Sequence, residues 1–186
     1  QLSAGAANRV QRGEHSGLRS LLVDRAATDH RHSEPGLLDH PRFEPGKEMR
    51  LVAELVPGLL ELTKLARARG LGVTIDAEEQ DRLDPLLMVF ERLMRAPELS
   101  QWSGLGIAVQ AYGKRAIPVL RWLKRLGDET KRKIPVRLVK GAYWDTEIKL
   151  AQERGLSGYP VFTAKTHTDV SYLACAKALL GAGPSI

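Results

Sequence analysis

The chain lacks the features that mark secreted, disulfide-stabilised and membrane-spanning proteins. Its 186 residues include a single cysteine, Cys175, so no disulfide can form within the chain and a reducing cytoplasm is the natural setting. No apolar run approaches the roughly 20 residues that cross a bilayer, and residues 1–10 lack the apolar core of a secretory signal. We therefore expect a cytoplasmic protein, with membrane association arising only as part of a longer parent protein.

Acidic residues are also relatively scarce. The chain has 22 Asp and Glu residues and 28 Lys and Arg residues, which gives a net charge of +6. Such a balance suits nucleic acid, anionic cofactors or membrane surfaces. Many of the cations fall in one stretch and alternate with apolar residues: Arg115, Arg121, Lys124, Arg125, Lys131, Arg132 and Lys133. This pattern is more typical of a solvated helix face, so we do not expect nucleic-acid binding from this segment.

Residues 1–40 show no sustained helical or strand periodicity and are left as an unassigned, irregular segment. Within them only residues 18–23 suggest local structure. Asp29, His30 and His32 are metal-ligand types, but a group of this kind is a weak signal without a second ligand pair. We therefore expect no metal site.

Helix boundaries are marked by recognisable residues in the regular part of the chain. Pro57-Gly58 in the first predicted helix predicts a kink or an interruption. Asp145 is predicted to cap the next-to-last helix, and Thr168 or Asp169 the last one.

Strand and helix alternate three times, with near-continuous apolar strands at residues 71–76, 105–110 and 135–140. This alternation indicates an α/β fold built from parallel β/α units. A doubly wound open sheet and a closed barrel both fit that pattern. The barrel is favoured because no dinucleotide-type glycine fingerprint follows a strand and because polar residues end every strand. A whole barrel needs about 250 residues, so residues 41–186 are predicted to form about the first half of a (β/α)8 TIM-type barrel.

Three polar side chains share equivalent positions near the strand ends. Strand alternation places Asp76, Gln110 and Arg137 on the same face of the predicted sheet. Burying an arginine in an apolar strand costs desolvation free energy unless a carboxylate pairs with its charge. We predict that Asp76 and Arg137 pair at the barrel mouth, with a purely structural ion pair as the alternative.

The turn after the last of these strands combines a cation, accessible backbone N–H groups and aromatic rings. It reads Lys140-Gly141-Ala142-Tyr143-Trp144. Such a strand-to-helix turn suits an anionic or planar ligand. The two aromatic residues equally fit a place in the core.

Several motifs together resemble the proline dehydrogenase domain of bifunctional bacterial proline utilisation A proteins. They lie in a consistent order at residues 75–79, 109–112, 136–144, 158–163 and 168–176. The resemblance covers about residues 40–180 and identifies residues 41–186 as a partial proline dehydrogenase barrel.

The resemblance implies a barrel that binds FAD and oxidises L-proline to 1-pyrroline-5-carboxylate by hydride transfer to the flavin. It makes Asp76 and Arg137 the active-site pair, with Arg137 near the reactive flavin nitrogen, where a cation favours negative charge. The residues that match FAD contacts are Ala77, Gln110, Arg137, Lys140, Gly141, Ala142, Tyr143, Trp144, Thr163 and Lys165. The resemblance is also compatible with a quinone or membrane electron acceptor and with a homo-oligomer.

The chain departs from the family pattern in two places. Ala164 stands where the family usually has arginine, so one cofactor contact is expected to be absent. Residues 33–38 stand in place of a strand that carries an active-site lysine, and they contain none. The later strands and the helix that binds the proline carboxylate are not in the sequence. We therefore expect this chain alone to be inactive; the alternative is a non-catalytic barrel fragment that serves as a binding or assembly module.

Overall fold

The strands of the sheet lie side by side in the order in which they occur in the chain. The computed structural model describes residues 21–22, 48–183 and 186. Its strands are β1 (Leu21–Leu22), β2 (Val73–Ile75), β3 (Leu105–Gln110) and β4 (Val136–Val139). The sheet order is β1-β2-β3-β4 and every neighbouring pair is parallel. Because a doubly wound sheet reverses its order at a switch point, this topology fits the predicted barrel and not the open-sheet alternative.

In the described part of the chain, five α-helices lie between and after the strands. They are α1 (Glu48–Ala68), α2 (Leu83–Met94), α3 (Ala116–Thr130), α4 (Trp144–Glu153) and α5 (Lys165–Leu180). Among the described helices none is long and apolar enough to cross a membrane. The residues considered for a metal site in the sequence, Asp29, His30 and His32, fall outside the described residues. β1 lies within residues 18–23, where local structure was expected.

A kink or an interruption of α1 was predicted at Pro57; the interruption is wrong and the kink stays a prediction. The helix runs continuously through this residue. Proline removes the hydrogen bond to the carbonyl of Ala53, four residues earlier. Both residues are exposed, so water can satisfy that carbonyl and the helix continues.

The predicted helix caps are also wrong. Helix α4 begins after Tyr143, so Asp145 lies inside its first turn. Helix α5 begins after Ala164, which places Thr168 and Asp169 within the helix. Neither observed N-cap residue makes a side-chain capping bond. Both helices therefore begin before the residues predicted to cap them, and without the side-chain bond that such a cap would supply.

The core lies between the sheet and helices α1, α2, α3 and α5. All six residues of β3 are buried, as expected for a strand with neighbours on both sides. Phe90, Leu93 and Leu123 are fully excluded from solvent and pack against it. This packing holds β3 in place at the centre of the sheet. The loops that follow the strands pack near its carboxyl end.

Arg132 corrects the interpretation of the basic stretch as one solvated face. Its side chain is buried at 4% exposure. Its guanidinium donates to the Trp102 carbonyl at 3.0 Å and to the Met94 carbonyl at 2.7 Å. Carbonyls at a helix end have no partner within the helix, so this arginine completes the end of α2 and has a structural role.

The prediction that β4 is a buried strand is wrong. Val136, Leu138 and Val139 are half-buried, and Arg137 is exposed. Among the described strands β4 pairs only with β3, so one of its edges and the face that bears Arg137 lie open. The desolvation cost that was expected to require a partner for Arg137 is therefore small.

Candidate functional site

Asp76 and Arg137 meet across the carboxyl end of the sheet, as strand alternation predicts. Nη2 of Arg137 lies 2.5 Å from Oδ1 of Asp76. Ile75 aligns with Ile107, and Ala108 aligns with Arg137, so Asp76 and Arg137 flank Ala108 in the register. Their strands are separated by about 10 Å, two strand spacings. The small methyl group of Ala108 lets the long Arg137 side chain reach Asp76 above the middle strand.

The Asp76–Arg137 pair contributes little to folding. The two side chains are 38% and 42% exposed, respectively. Ion pairs that exposed are worth roughly 0–1 kcal/mol. Oδ1 of Asp76 also accepts a hydrogen bond from the Ala77 N–H at 2.9 Å, which orients the carboxylate. The pair is thus an oriented but accessible cation and anion, suited to contact a ligand.

Gln110 connects the segments that follow two different strands. We call residues 76–80 the post-β2 segment. Nε2 of Gln110 donates to the Glu78 carbonyl in this segment at 2.7 Å, and Oε1 accepts from the Ala142 N–H after β4 at 3.3 Å. Gln110 itself is buried. One amide side chain therefore fixes the distance between the segment that bears Asp76 and the turn that follows Arg137.

A cavity of about 400 Å³ opens beside the carboxyl end of β4. We call it the strand-end cavity. Its lining residues are Tyr112, Lys140, Gly141, Trp144, Thr163, Lys165 and Thr168. All of them except Tyr112 and Thr168 are residues that the resemblance matches to FAD contacts. The structure thus brings together in one cavity residues that follow β3 and β4, the first residue of α4 and the start of α5.

The strand-end cavity is electropositive. Lys140 and Lys165 both bind the carboxylate of Asp169, at 2.5 and 2.8 Å. The hydrogen bonds from Lys140 and Lys165 lower the pKa of Asp169, so the carboxylate is charged at neutral pH and offsets only one of the two ammonium groups. The N-terminus of α5 adds a partial positive charge. This set of donors suits an anionic ligand such as a phosphate group.

The wall of the cavity is built by close packing of backbone and aromatic rings. Gly141 has φ +128°, and a Cβ there would lie 2.4 Å from Cγ of Tyr112. The Tyr112 carbonyl accepts from the Phe162 N–H at 2.8 Å, and the Phe162 carbonyl accepts from Nε1 of Trp144 at 2.9 Å. These bonds join the loop before α5 to the end of β3 and to the start of α4.

Five of the residues matched to FAD contacts lie outside the strand-end cavity, and one of them is Arg137 of the ion pair described above. Ala77 and Gln110 line a separate cavity of about 20 Å³, which has room for little more than one water molecule. Ala142 is exposed and uses its N–H to bind Gln110. Tyr143 is half-buried at the start of α4. Their roles toward a cofactor stay predictions.

Glu147 is a polar residue of the site region that the sequence did not single out. It is 4% exposed, and its Oε1 accepts a hydrogen bond from the Gln80 N–H at 2.5 Å. The pKa of Glu147 is raised, chiefly by burial. The hydrogen bond from Gln80 and the positive charge of Arg154 act against this rise. The negative charges of Asp81 and Glu79 increase it. A glutamate in the first turn of a helix is ordinarily favoured by the helix dipole alone, so only its burial distinguishes it.

Replacing Glu147 with glutamine is expected to change the pH dependence of stability. A carboxyl group whose pKa is raised by folding contributes fully to the free energy of unfolding only below its pKa in the unfolded chain, about 4.3. That contribution is lost as the pH rises through the pKa in the folded state. Glutamine keeps an acceptor for Gln80 and cannot ionise. The melting temperature of the variant should match wild type near pH 4, exceed it as the pH rises through the folded pKa of Glu147, and keep a constant excess above that pKa. Equal melting curves across this range would contradict the prediction.

The fold and the site together define a class of protein. Parallel strands in sequence order, with polar residues and a cavity at their carboxyl ends, are the arrangement of β/α-barrel enzymes. The family model described as proline dehydrogenase matches residues 7–186. The chain therefore belongs to the proline dehydrogenase family, and its fold is a partial TIM-type barrel. The boundary at residue 40 stays a prediction.

The curated relatives of the chain are named bifunctional proteins. The chain is 52% identical over 141 residues to the bifunctional protein PutA of Salmonella typhimurium, which covers 76% of this chain and 11% of that protein. A solved mutant of proline utilization A from Bradyrhizobium japonicum superposes on 81% of this chain and 16% of its own, with 53% identity and a TM-score of 0.78. Proline utilization A from Bdellovibrio bacteriovorus superposes on 83% of this chain and 17% of its own, with 29% identity and a TM-score of 0.75. The chain spans about a tenth of the length of the curated relatives.

Proposed function

We propose that these residues form the cofactor side of an FAD-dependent proline dehydrogenase site that oxidises L-proline to 1-pyrroline-5-carboxylate within a longer protein. The observation that carries the proposal is the position of the oriented Asp76–Arg137 pair at the same end of the sheet as the electropositive strand-end cavity. Membership of the proline dehydrogenase family supports the substrate and the reaction.

The residues present fit an FAD molecule by the chemistry of their donors. Lys140, Lys165 and the N-terminus of α5 would hold its phosphates, and Trp144 offers an exposed ring for a planar group. When bound, FAD supplies the acceptor for the hydride that leaves proline. Arg137 would supply a fixed cation where negative charge develops, and Asp76 would hold that guanidinium in place.

Other partners follow from the same proposal. L-Proline is the substrate, and electrons would pass onward to a quinone or another membrane acceptor. We place the parent protein in the cytoplasm, with contact to the membrane at that step, and we propose a homo-oligomer.

A chimera tests the proposed function directly. In it, the part of this chain that aligns over 141 residues with the Escherichia coli bifunctional protein PutA, at 52% identity, replaces the corresponding part of that protein. We expect the purified chimera to be yellow and to reduce a dye when proline is added. The 186-residue chain alone should purify without flavin absorption and without dye reduction, because it offers open strand edges and half a core.

The same experiment separates the alternative function. An assembly module is favoured by the exposed apolar side chains of α5, since Val170, Leu173 and Leu180 are 67%, 69% and 89% exposed. A chimera that folds but stays colourless would support a module of that kind and contradict the enzymatic proposal. A proline-reducible flavin in the isolated chain would contradict the expectation that the chain alone is inactive.

A further inference from the structure

The post-β2 segment, residues 76–80, is held by two buried side chains from other parts of the chain. Gln110 on β3 binds the carbonyl of Glu78 at 2.7 Å. Glu147 on α4 binds the N–H of Gln80 at 2.5 Å. The segment carries Asp76 at its start, so its position determines where the carboxylate that orients Arg137 stands.

The hydrogen bond that Glu147 makes requires the burial of a carboxylate, which costs desolvation free energy. A buried carboxylate loses its hydration and needs compensation, and Glu147 is 4% exposed. An apolar residue would avoid that desolvation cost but would leave the N–H of Gln80 without this acceptor. What the carboxylate adds is a charged acceptor, and bonds of this kind are roughly twice as strong as those between neutral groups. The N–H that it binds lies in the segment that bears the predicted catalytic carboxylate.

We propose that Glu147 is a positioning residue, which holds the post-β2 segment so that Asp76 keeps Arg137 in its place at the barrel mouth. The inference rests on the proposed function for its catalytic meaning. Glu147 reaches this segment from α4, whose first residue, Trp144, lines the strand-end cavity. Through Glu147 the same helix therefore sets both the cavity and the ion pair.

Hydrogen exchange on the 186-residue chain tests the positioning role without any flavin. Glu147→Ala should accelerate exchange about tenfold in peptides that cover residues 76–82, because the N–H of Gln80 loses its acceptor. Peptides from α2 and α3 should change by less than about twofold, as expected for a local opening. Glu147→Gln keeps an acceptor and should stay within about threefold of wild type. Glu153→Ala, an exposed glutamate of the same helix, serves as the matched control and should change nothing.

Three results would overturn the proposal. The first is uniform acceleration in Glu147→Ala, which would show general destabilisation. The second is a Glu147→Gln variant that exchanges as fast as Glu147→Ala. The third is a wild-type chain in which residues 76–82 exchange like an unstructured peptide.

The chimera adds the catalytic readout. Glu147→Ala should lower kcat for proline oxidation by about tenfold with little change in KM, since a misplaced catalytic group slows the chemical step. Glu147→Gln should restore most of the rate. If the unmodified chimera does not oxidise proline, the proposed function fails while the exchange result stands. If it does and Glu147→Ala matches it, the positioning role alone fails.

Discussion

Replacing Arg137 with methionine is expected to lower proline-dependent dye reduction by the chimera about 10²–10³-fold, the usual effect of removing a preorganised group that stabilises developing charge. Methionine keeps the apolar stem and removes the cation. Because the Asp76–Arg137 pair is about 40% exposed, its loss should cost at most about 1 kcal/mol of folding free energy. The rate should therefore fall while the melting temperature hardly changes.

Two further variants identify the cause of the loss at Arg137. Arg137→Lys keeps a positive charge but not the planar fork, so it should retain a rate between methionine and wild type. Arg95→Met removes a similarly exposed arginine, which binds Glu129 at 2.6 Å and is 47% exposed, and it should leave the rate unchanged. A methionine variant at position 137 with full activity, or one whose rate falls only in step with its stability, would contradict a direct role in the reaction.

The alternation of the strands predicts most of what matters about the ion pair. Asp76 lies one residue after β2 and Arg137 lies within β4, and the side-chain period of two places both on one face. What alternation cannot give is the number of strands between them. The order of the sheet supplies it: β3 lies between, and Ala108 is the residue that the pair spans.

Burial is the property that the sequence predicts least well here. Arg137 was expected to be buried and is exposed, because the edge of β4 away from β3 lies open among the described strands. Glu147 was not singled out and is buried, because the pattern of α4 does not show which loop packs on its first turn. Local spacing determines the face on which a residue lies. The solvation of that face depends on distant parts of the chain.

The strand-end cavity also combines residues that the local sequence predicts with residues that only distant contacts bring together. The turn after β4 was recognised as suited to an anionic ligand from its own residues. Thr163 and Lys165 entered only through the family resemblance, since nothing in their spacing links them to residue 140. The contact arises because the loop before α5 folds back on the end of β3, where Val161 pairs with Gly113. Such a long-range contact leaves no periodic signal in the sequence.

Replacing Gly141 with alanine is expected to be among the most damaging single changes to this chain. At φ +128° an L-residue is strained, and the new Cβ would lie 2.4 Å from the Tyr112 ring. That ring is 2% exposed, so it cannot move aside without disturbing the core. Backbone strain and overpacking should together cost on the order of 2–6 kcal/mol. Denaturant titration of the chain should show that loss, and the chimera should lose its flavin because Gly141 lines the strand-end cavity.

Two other glycines separate the causes of the loss at Gly141. Gly155 also has a positive φ, +61°, but a Cβ there meets nothing within 4 Å. Gly155→Ala should therefore cost only about 1–2 kcal/mol, the backbone term alone. Gly158 has open space and no positive φ, and its alanine variant should be neutral. The close approach of Gly141 to Tyr112 predicts that Gly141→Ala exceeds both. If Gly141→Ala and Gly155→Ala lose the same free energy, the Tyr112 ring yields to the methyl group and the cavity wall is softer than its packing implies.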